Sequence, residues 1–319
     1  MTTRTAVPVP GGHGGDGAAV AAALGIPASQ VLDLSASLNP VAPPVSAVVR
    51  RHLDSLARYP DPTRATAALA EVLGVAPARV VLTNGGAEAI ALVAAELGRG
   101  RVDDPEFSLY RRHLATVSAD GPRFRSNPHN PSGVLAPAGD AAAVWDEAFY
   151  PLATGRWTRG DADHGAVVVG SLTKLFACPG LRIGFVLTPD DGGSWARRLR
   201  DRQPQWSVNS LAAAALPDLL GGADVAGWAS AVAGLRSELV EVLRAHGLRP
   251  RPSQANYVLV PEARGLRQRL AWRGVVVRDC ASFGLADHVR VAVPSPAGLS
   301  KLAGALALVR GECDTETKP

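Results

Sequence analysis

Residues 167–185 read VVVGSLTKLFACPGLRIGF, and the lysine inside this run decides how the rest of the chain is read. Lysine and arginine together number 33, yet the only lysines are Lys174, Lys301 and Lys318. Arginine supplies the solvated cations elsewhere, while one lysine is kept between two apolar segments. VVVGS and RIGFVLT are short apolar runs of the kind found in parallel strands buried on both faces. A lysine at the exit of such a strand is disfavoured as an ammonium. Its neutral amine, the form Schiff-base chemistry requires, becomes accessible. Taken alone, the residue is also readable as a lysine snorkelling from a strand end. Its neighbours point further: the hydroxyls of Ser171 and Thr173 and the guanidinium of Arg182 describe a phosphate-binding rim around a reactive amine. Ser171 and Lys174 match the S-x-x-K spacing of penicillin-recognising acyl enzymes as well. No K-T-G follows, however, and this serine closes a strand where that chemistry wants one opening a helix.

Outward from the lysine, the chain alternates in the α/β manner. ATAALAEVLGV and AEAIALVAAELG read as helices around a strand, ARVVLTNGG, that runs into glycines, and AVWDEAF and GAVVVGS read as buried strands. Before them come a glycine-rich arm, a helix over Gly17–Leu24, a strand-to-turn in QVLDLSASLNP and a helix through Val48–Leu56. After Pro204 the chain turns helix-rich, with a long amphipathic segment over Val225–His246. NYVLVPEA, GVVVRDC and HVRVAVP then suggest a small α+β domain. The expected division is an arm contributing to the small domain (1–45), a large domain (46–210) and a small domain (211–319). The stretch 112–143 is short: no apolar strand is evident before Asn127, and few residues remain for a crossover helix. A lost strand and a lost covering helix are expected there.

The 319 residues are 47% hydrophobic and 19% charged, which suits a globular chain with a large core. The net charge of +4 is spread along the sequence without a polybasic block, so a nucleic-acid partner is not expected. No apolar run is long enough to span a bilayer, and MTTRTAVPVPGGHGGDG has no signal-type apolar core. Cys178, Cys280 and Cys313 form no C-x-x-C pair and suit a reducing compartment. A cytoplasmic protein without a metal site is expected.

Three further stretches carry candidate chemistry. Asp146 in VWDEAF ends a buried strand, where a carboxylate needs a cation or a donor, unless it merely caps a helix. TNGGAEAI sets Gly86 and Ala87 at a helix start, where bare backbone N–H groups can cradle a phosphate. SNPHNPSG sets Asn130 in a proline-braced turn that can aim an amide into a cleft.

In this order, NGGAE, NPHNPSG, DEAF and SLTKLFACPGLRIG resemble the pyridoxal-phosphate (PLP) dependent enzymes of the aspartate aminotransferase superfamily, fold-type I. The resemblance runs from about His13 to about Val293. RYPDP, SQANYVLV and VVVRDCASFGLADHVRVAV resemble its branch of histidinol-phosphate aminotransferases and L-threonine-O-3-phosphate decarboxylases. The HGG arm, QWSVNSLA and RDCASFGL are similar to the decarboxylases, which belong to cobalamin biosynthesis.

The resemblance implies a mainly parallel sheet and a smaller α+β domain, with Lys174 as the covalent attachment point of PLP. It implies Asp146 on the pyridine nitrogen, Asn130 on the phenolic oxygen and Phe107 stacked on the ring. Ser171, Thr173, Arg182, Gly86 and Ala87 would hold the phosphate, joined by Tyr59 from a neighbouring subunit in a homodimer with shared sites. Arg278 and Arg290 would bind the anionic groups of a phosphorylated amino acid, with His13 and Asn39 closing over them. Two departures are plain: Phe149 stands where the aminotransferases carry a tyrosine, and Pro294 follows RVAV where the decarboxylases carry arginine. The expected activity is decarboxylation of L-threonine O-3-phosphate or a similar substrate. The alternatives are a histidinol-phosphate-type aminotransferase and, from another class, a non-catalytic PLP-fold binding protein.

Overall fold

The computed structural model describes residues 7–316, with side chains described through Arg310. Lys318, the side chain of Cys313 and the outermost residues of the arm and of the expected small domain lie outside the described residues. Two sheets organise the chain. The larger has seven strands: β2 (Val80–Thr83), β3 (Arg99–Val102), β4 (Thr116–Val117), β5 (Arg123–Ser126), β6 (Val144–Asp146), β7 (Val167–Ser171) and β8 (Gly184–Leu187). Their order is β2-β8-β7-β6-β5-β3-β4, and only β8 runs antiparallel to its neighbours. The mainly parallel sheet expected of the sequence is present.

Strand alternation builds a core on each face. Val168 and Trp145 point into one cluster with Leu69, Phe185 and Leu216, while Val167, Val169 and Val144 point into another with Ile90, Val93 and Leu199. Both faces are therefore covered, which is why the central strands read as unbroken apolar runs.

The expectation of a lost strand is corrected by β5, which pairs with β3 and with β6 and so keeps the sheet continuous. Its sequence, Arg-Phe-Arg-Ser, hides the strand because only alternate residues are buried: Phe124 and Ser126 face inward. The arginines between them are held by carboxylates, Arg123 at 2.9 Å from Asp103 and 2.7 Å from Asp140, and Arg125 at 2.7 Å from Asp140. The crossover from β5 to β6 contains no helix, as its length implies. Trp145 is covered instead by Leu152 and by the start of helix Val225–Ala245, with Arg159 over its ring at 4.9 Å.

The smaller sheet orders β1 (Leu32–Leu34), β10 (Val275–Asp279), β11 (Val289–Ala292) and β9 (Tyr257–Val260). β1 runs parallel to β10, so the arm's strand completes a sheet from the far end of the sequence. Helix Val225–Ala245 joins the two cores: Val225, Trp228 and Val232 pack in the large one, and Leu235, Leu239 and Leu243 in the small one. Helix Ser210–Gly221 packs in the large core too, through Ala212, Leu216 and Leu219. Among the described residues no helix is long and apolar enough to cross a membrane.

Candidate active site

The carboxyl ends of β5, β6 and β7 lie level, with Ser126 paired to Asp146 and Asp146 to Val169. Loops leaving that edge converge, as expected of parallel sheets. They meet the small sheet and the arm around a cavity of about 190 Å³. Its lining brings together His13, Gly86, Ala87, Phe107, Asn130, Asp146, Ser171, Thr173, Lys174, Arg182, Arg278 and Arg290. Segments more than 270 residues apart in the chain meet there.

Ser171 ends β7, and a single helical turn, Leu172–Leu175, follows it at once. That turn puts the Lys174 side chain into the cavity, where its Nζ donates to the Ala36 carbonyl at 2.7 Å. Burial lowers its pKa from 10.5 to about 8, and Arg290, Arg182 and Arg278 push the same way against Asp33. Among the described residues no carboxylate pairs with this lysine, and it has a far larger fraction of free amine than in water.

Asp146 sits at the end of β6, half-buried and lining the cavity. One carboxylate oxygen accepts from the Tyr110 hydroxyl at 2.8 Å and the other from the Ala148 N–H at 3.0 Å. Burial raises its pKa, opposed by those two donors and by Lys174. A carboxylate in this state lacks a directly bound cation. Tyr110 is a site residue the sequence reading missed: it lies three positions after Phe107 on helix Ser108–His113, a helical-face spacing, but nothing in the sequence ties it to Asp146.

Opposite Lys174 stand three guanidinium groups without a carboxylate partner among the described residues. Arg290 is 6% exposed and donates to Asn130 Oδ1 at 2.6 Å and to the Ser35 carbonyl at 3.3 Å, while its Nε has no partner. Its guanidinium lies over Tyr257, 4.5 Å from the ring centroid. Arg278 is 3% exposed and donates to the carbonyls of Gly11 and Gly12 at 3.1 and 2.7 Å and to the Ser282 hydroxyl at 2.8 Å. Burial, with Arg290 nearby, lowers its pKa to about 10. Arg182 reaches only the carbonyls of Pro179 and Asn84, at 3.4 and 3.3 Å. Guanidinium groups held by neutral oxygens, with no carboxylate partner among the described residues, leave a strongly positive cavity that favours anions.

The Gly85–Leu97 helix starts beside Arg182, with no side chain capping its first turn. Gly85 has φ +76°, and a Cβ there would sit 2.2 Å from Arg182 Nη2. A Cβ on Gly184 would meet the Gly85 backbone at 2.6 Å. These glycines let helix, strand and guanidinium close into one anion cradle.

Two sequence-derived candidates lie elsewhere. Asn39 does not line the cavity: its amide donates to the Leu175 carbonyl at 2.9 Å and accepts from the Val41 N–H at 3.1 Å. Its own N–H donates to the Lys174 carbonyl at 3.0 Å, so it braces the lysine turn from behind. Tyr59 is 78% exposed and stacks on Trp206 at 4.6 Å, away from this chain's cavity. His13 packs edge-on to Phe107 at 5.6 Å; burial, then Arg278 and Arg112, lower its pKa.

A mixed α/β fold with a mainly parallel sheet, a half-buried lysine amine, a half-buried carboxylate and an anion cradle at the carboxyl ends of the strands defines a fold-type I PLP enzyme. The chain belongs to the aminotransferase class I and II family, which it matches over residues 124–306. It is 33% identical to the threonine-phosphate decarboxylase of Salmonella typhimurium, over 92% of this chain and 95% of that protein. It is 32% identical to histidinol-phosphate aminotransferase 2 of Methylococcus capsulatus, over 83% of this chain and 86% of that protein. Among solved structures, the Sinorhizobium meliloti histidinol-phosphate aminotransferase in complex with pyridoxal-5'-phosphate superposes with a TM-score of 0.79 at 19% identity, over 93% of this chain and 95% of that one. The family's cofactor is PLP. The residues present fit it: the cation-free Asp146, the Lys174 amine and the glycine cradle beside Arg182 each offer what a phosphorylated pyridine aldehyde needs.

Proposed function

We propose that the protein is a PLP-dependent carboxy-lyase acting on L-threonine O-3-phosphate or a similar phosphorylated amino acid, of the cobalamin-biosynthesis type. The observation that carries this reading is the pair Arg278 and Arg290, both buried, both lacking carboxylates, and both facing the cavity that holds Lys174. A phosphorylated amino acid brings two separated anions, and two planar guanidinium forks match them. The 33% identity to a threonine-phosphate decarboxylase supports the same choice.

In this reading Lys174 provides the amine that holds the cofactor, and Asp146, kept in place by Tyr110, pairs with its pyridine nitrogen. Asn130, its Oδ1 taken by Arg290, has its Nδ2 left for the phenolic oxygen. Phe107 lies against the ring, and Ser171, Thr173, Arg182, Gly86 and Ala87 surround the phosphate. Bound there, PLP supplies an electron sink for the pair released when a bond at the substrate's α-carbon breaks. Arg278 and Arg290 orient the substrate so that the bond to its carboxylate is the one presented for cleavage. His13 and the arm exclude water from the mouth. Lys174 Nζ then holds the proton that replaces the departing carbon dioxide. Tyr59 serves the phosphate site of a second copy, which makes the active unit a cytoplasmic homodimer.

The second reading, a histidinol-phosphate-type aminotransferase, is favoured by the 32% identity to such an enzyme and uses the same lysine to move a proton. Offering the purified protein PLP with threonine phosphate, or with histidinol phosphate plus 2-oxoglutarate, separates them. Carbon dioxide without glutamate supports the lyase, and glutamate formation overturns it in favour of the transferase.

A further inference from the structure

Glu106 is a buried carboxyl that none of this chemistry uses. It is 5% exposed and has no cation in hydrogen-bond contact. The nearest imidazole nitrogen, His129 Nε2, is 4.0 Å away and donates instead to the Pro105 carbonyl at 2.7 Å. Since a carbonyl only accepts, Nε2 carries the proton, and Nδ1 accepts from the Ser132 hydroxyl at 2.7 Å. His129 is thereby satisfied while neutral, and burial lowers its pKa.

What Glu106 does have is donors. The Ser126 N–H reaches Oε1 at 3.0 Å, while the Ser126 hydroxyl and the Phe107 N–H reach Oε2 at 2.7 and 3.2 Å. The hydroxyl of Ser126 in turn accepts from the Asn130 N–H at 2.7 Å. Ser126 has one hydroxyl proton, and this network gives it a single destination. One carboxylate thus gathers the loop that carries Phe107 and the loop that carries Asn130. Burying a carboxyl without a cation is expensive. Three converging donors make it tolerable here, and a neutral amide would leave the Phe107 N–H facing an N–H₂ group.

We propose that Glu106 is a positioning residue for the cofactor ring, its carboxylate fixing Phe107 against one face of the ring and Asn130 at its edge. The proposal rests on the assignment of Phe107 and Asn130 to the cofactor made above, and it deepens that assignment by naming what holds them. Around Glu106 stand Asp146 on β6, Tyr110 on helix Ser108–His113, Tyr257 on β9, His129 in the β5–β6 connection, and Arg123 and Arg125 of β5, which line the same pocket. Both arginines are paired to Asp103 and Asp140 and neither bonds Glu106, so the carboxyl acts through its hydrogen bonds and not through an ion pair.

The test compares full-length wild type with Glu106→Gln and Glu106→Ala. It reads the PLP dissociation constant, the pH midpoint of the bound cofactor's visible band, and amide hydrogen exchange at Phe107, Ser126 and Asn130 before cofactor is added. Glu147→Gln is the control, since Glu147 is an equally buried carboxyl whose oxygens face the Arg159 N–H and not the cavity. Glu106→Ala is expected to weaken PLP binding about tenfold or more, the scale of two or more lost charge-assisted hydrogen bonds. It should speed exchange at the three amides and move the band's midpoint. Glu106→Gln, which keeps an acceptor for the Ser126 N–H, should fall between. Binding within twofold of wild type and an unmoved midpoint in both variants would overturn the proposal, as would a loss of thermal stability alone, of the kind expected for Glu147→Gln. If Glu106→Ala does not fold, Glu106→Gln decides by the same criteria. Failure of wild type to take up PLP would sink the functional reading, whereas exchange at the three amides would still decide whether Glu106 ties the two loops.

Discussion

The two halves of the cavity are built by different means. The half that faces Lys174, Asp146 and the glycine cradle is made by the ends of β5, β6 and β7 and by one helix start, all in the large sheet. Its side chains are set by strand register and by cores on both faces. The half that faces outward is made by the arm, β10 and β11, and is joined by a few hydrogen bonds from Arg278 and Arg290 to carbonyls of the arm and of β1's exit. The first half is preorganised for a group that stays, and the second for one that comes and goes.

Five substitutions probe that difference, from the largest effect to the smallest. Lys174→Arg keeps a cation but removes the amine, and turnover should fall to background while far-ultraviolet circular dichroism is unchanged. A measurable residual rate would break the assignment of the cofactor half. Arg290→Lys keeps the charge but loses the planar fork. It should lower kcat/KM by about 10²-fold, as loss of charge-assisted hydrogen bonds worth roughly 3 kcal/mol implies. Arg278→Lys should act in the same direction and also loosen the arm, seen as faster proteolysis before Gly17. Gly85→Ala places a Cβ against Arg182 in a left-handed backbone position and should weaken PLP binding about tenfold with little change in KM for substrate. His13→Ala should change only KM, by less than about tenfold, because His13 closes the mouth through an edge-on ring contact and, among the described residues, forms no ion pair.

The cofactor half also carries a pH signature. Lys174 is lowered to about 8, so below that value its ammonium form predominates in the unloaded protein and above it the free amine does. The initial rate of PLP incorporation should therefore rise with pH around a midpoint near 8, and not near the 10.5 of an exposed lysine. Stopped-flow absorbance across that range measures it.

The same contrast explains what the sequence disclosed. Cofactor-side residues lie in short contiguous motifs whose geometry is local: a strand end before Lys174, glycines before a helix, an aspartate closing β6. Each is legible because backbone conformation alone dictates it. The partners that hold those groups are not local. Tyr110 under Asp146, Ala36 on Lys174 and Gly11 and Gly12 on Arg278 meet only after two sheets have assembled. Asn39 illustrates the limit, since the resemblance placed it over the substrate and the fold turned its side-chain amide onto the Leu175 carbonyl, behind the lysine turn. β5 illustrates another: a strand whose arginines are neutralised by Asp103 and Asp140 reads as polar loop until those carboxylates are seen beside it.

The claim on which the account turns is that Lys174, and no other lysine, is the amine of the cofactor site. Purified protein incubated with PLP, reduced with borohydride and digested should yield a single pyridoxyl-peptide by mass spectrometry, spanning residues 171–182 and modified on Lys174. Modification of Lys301 in its place, or no reduced adduct on Lys174 at saturating PLP, would contradict it.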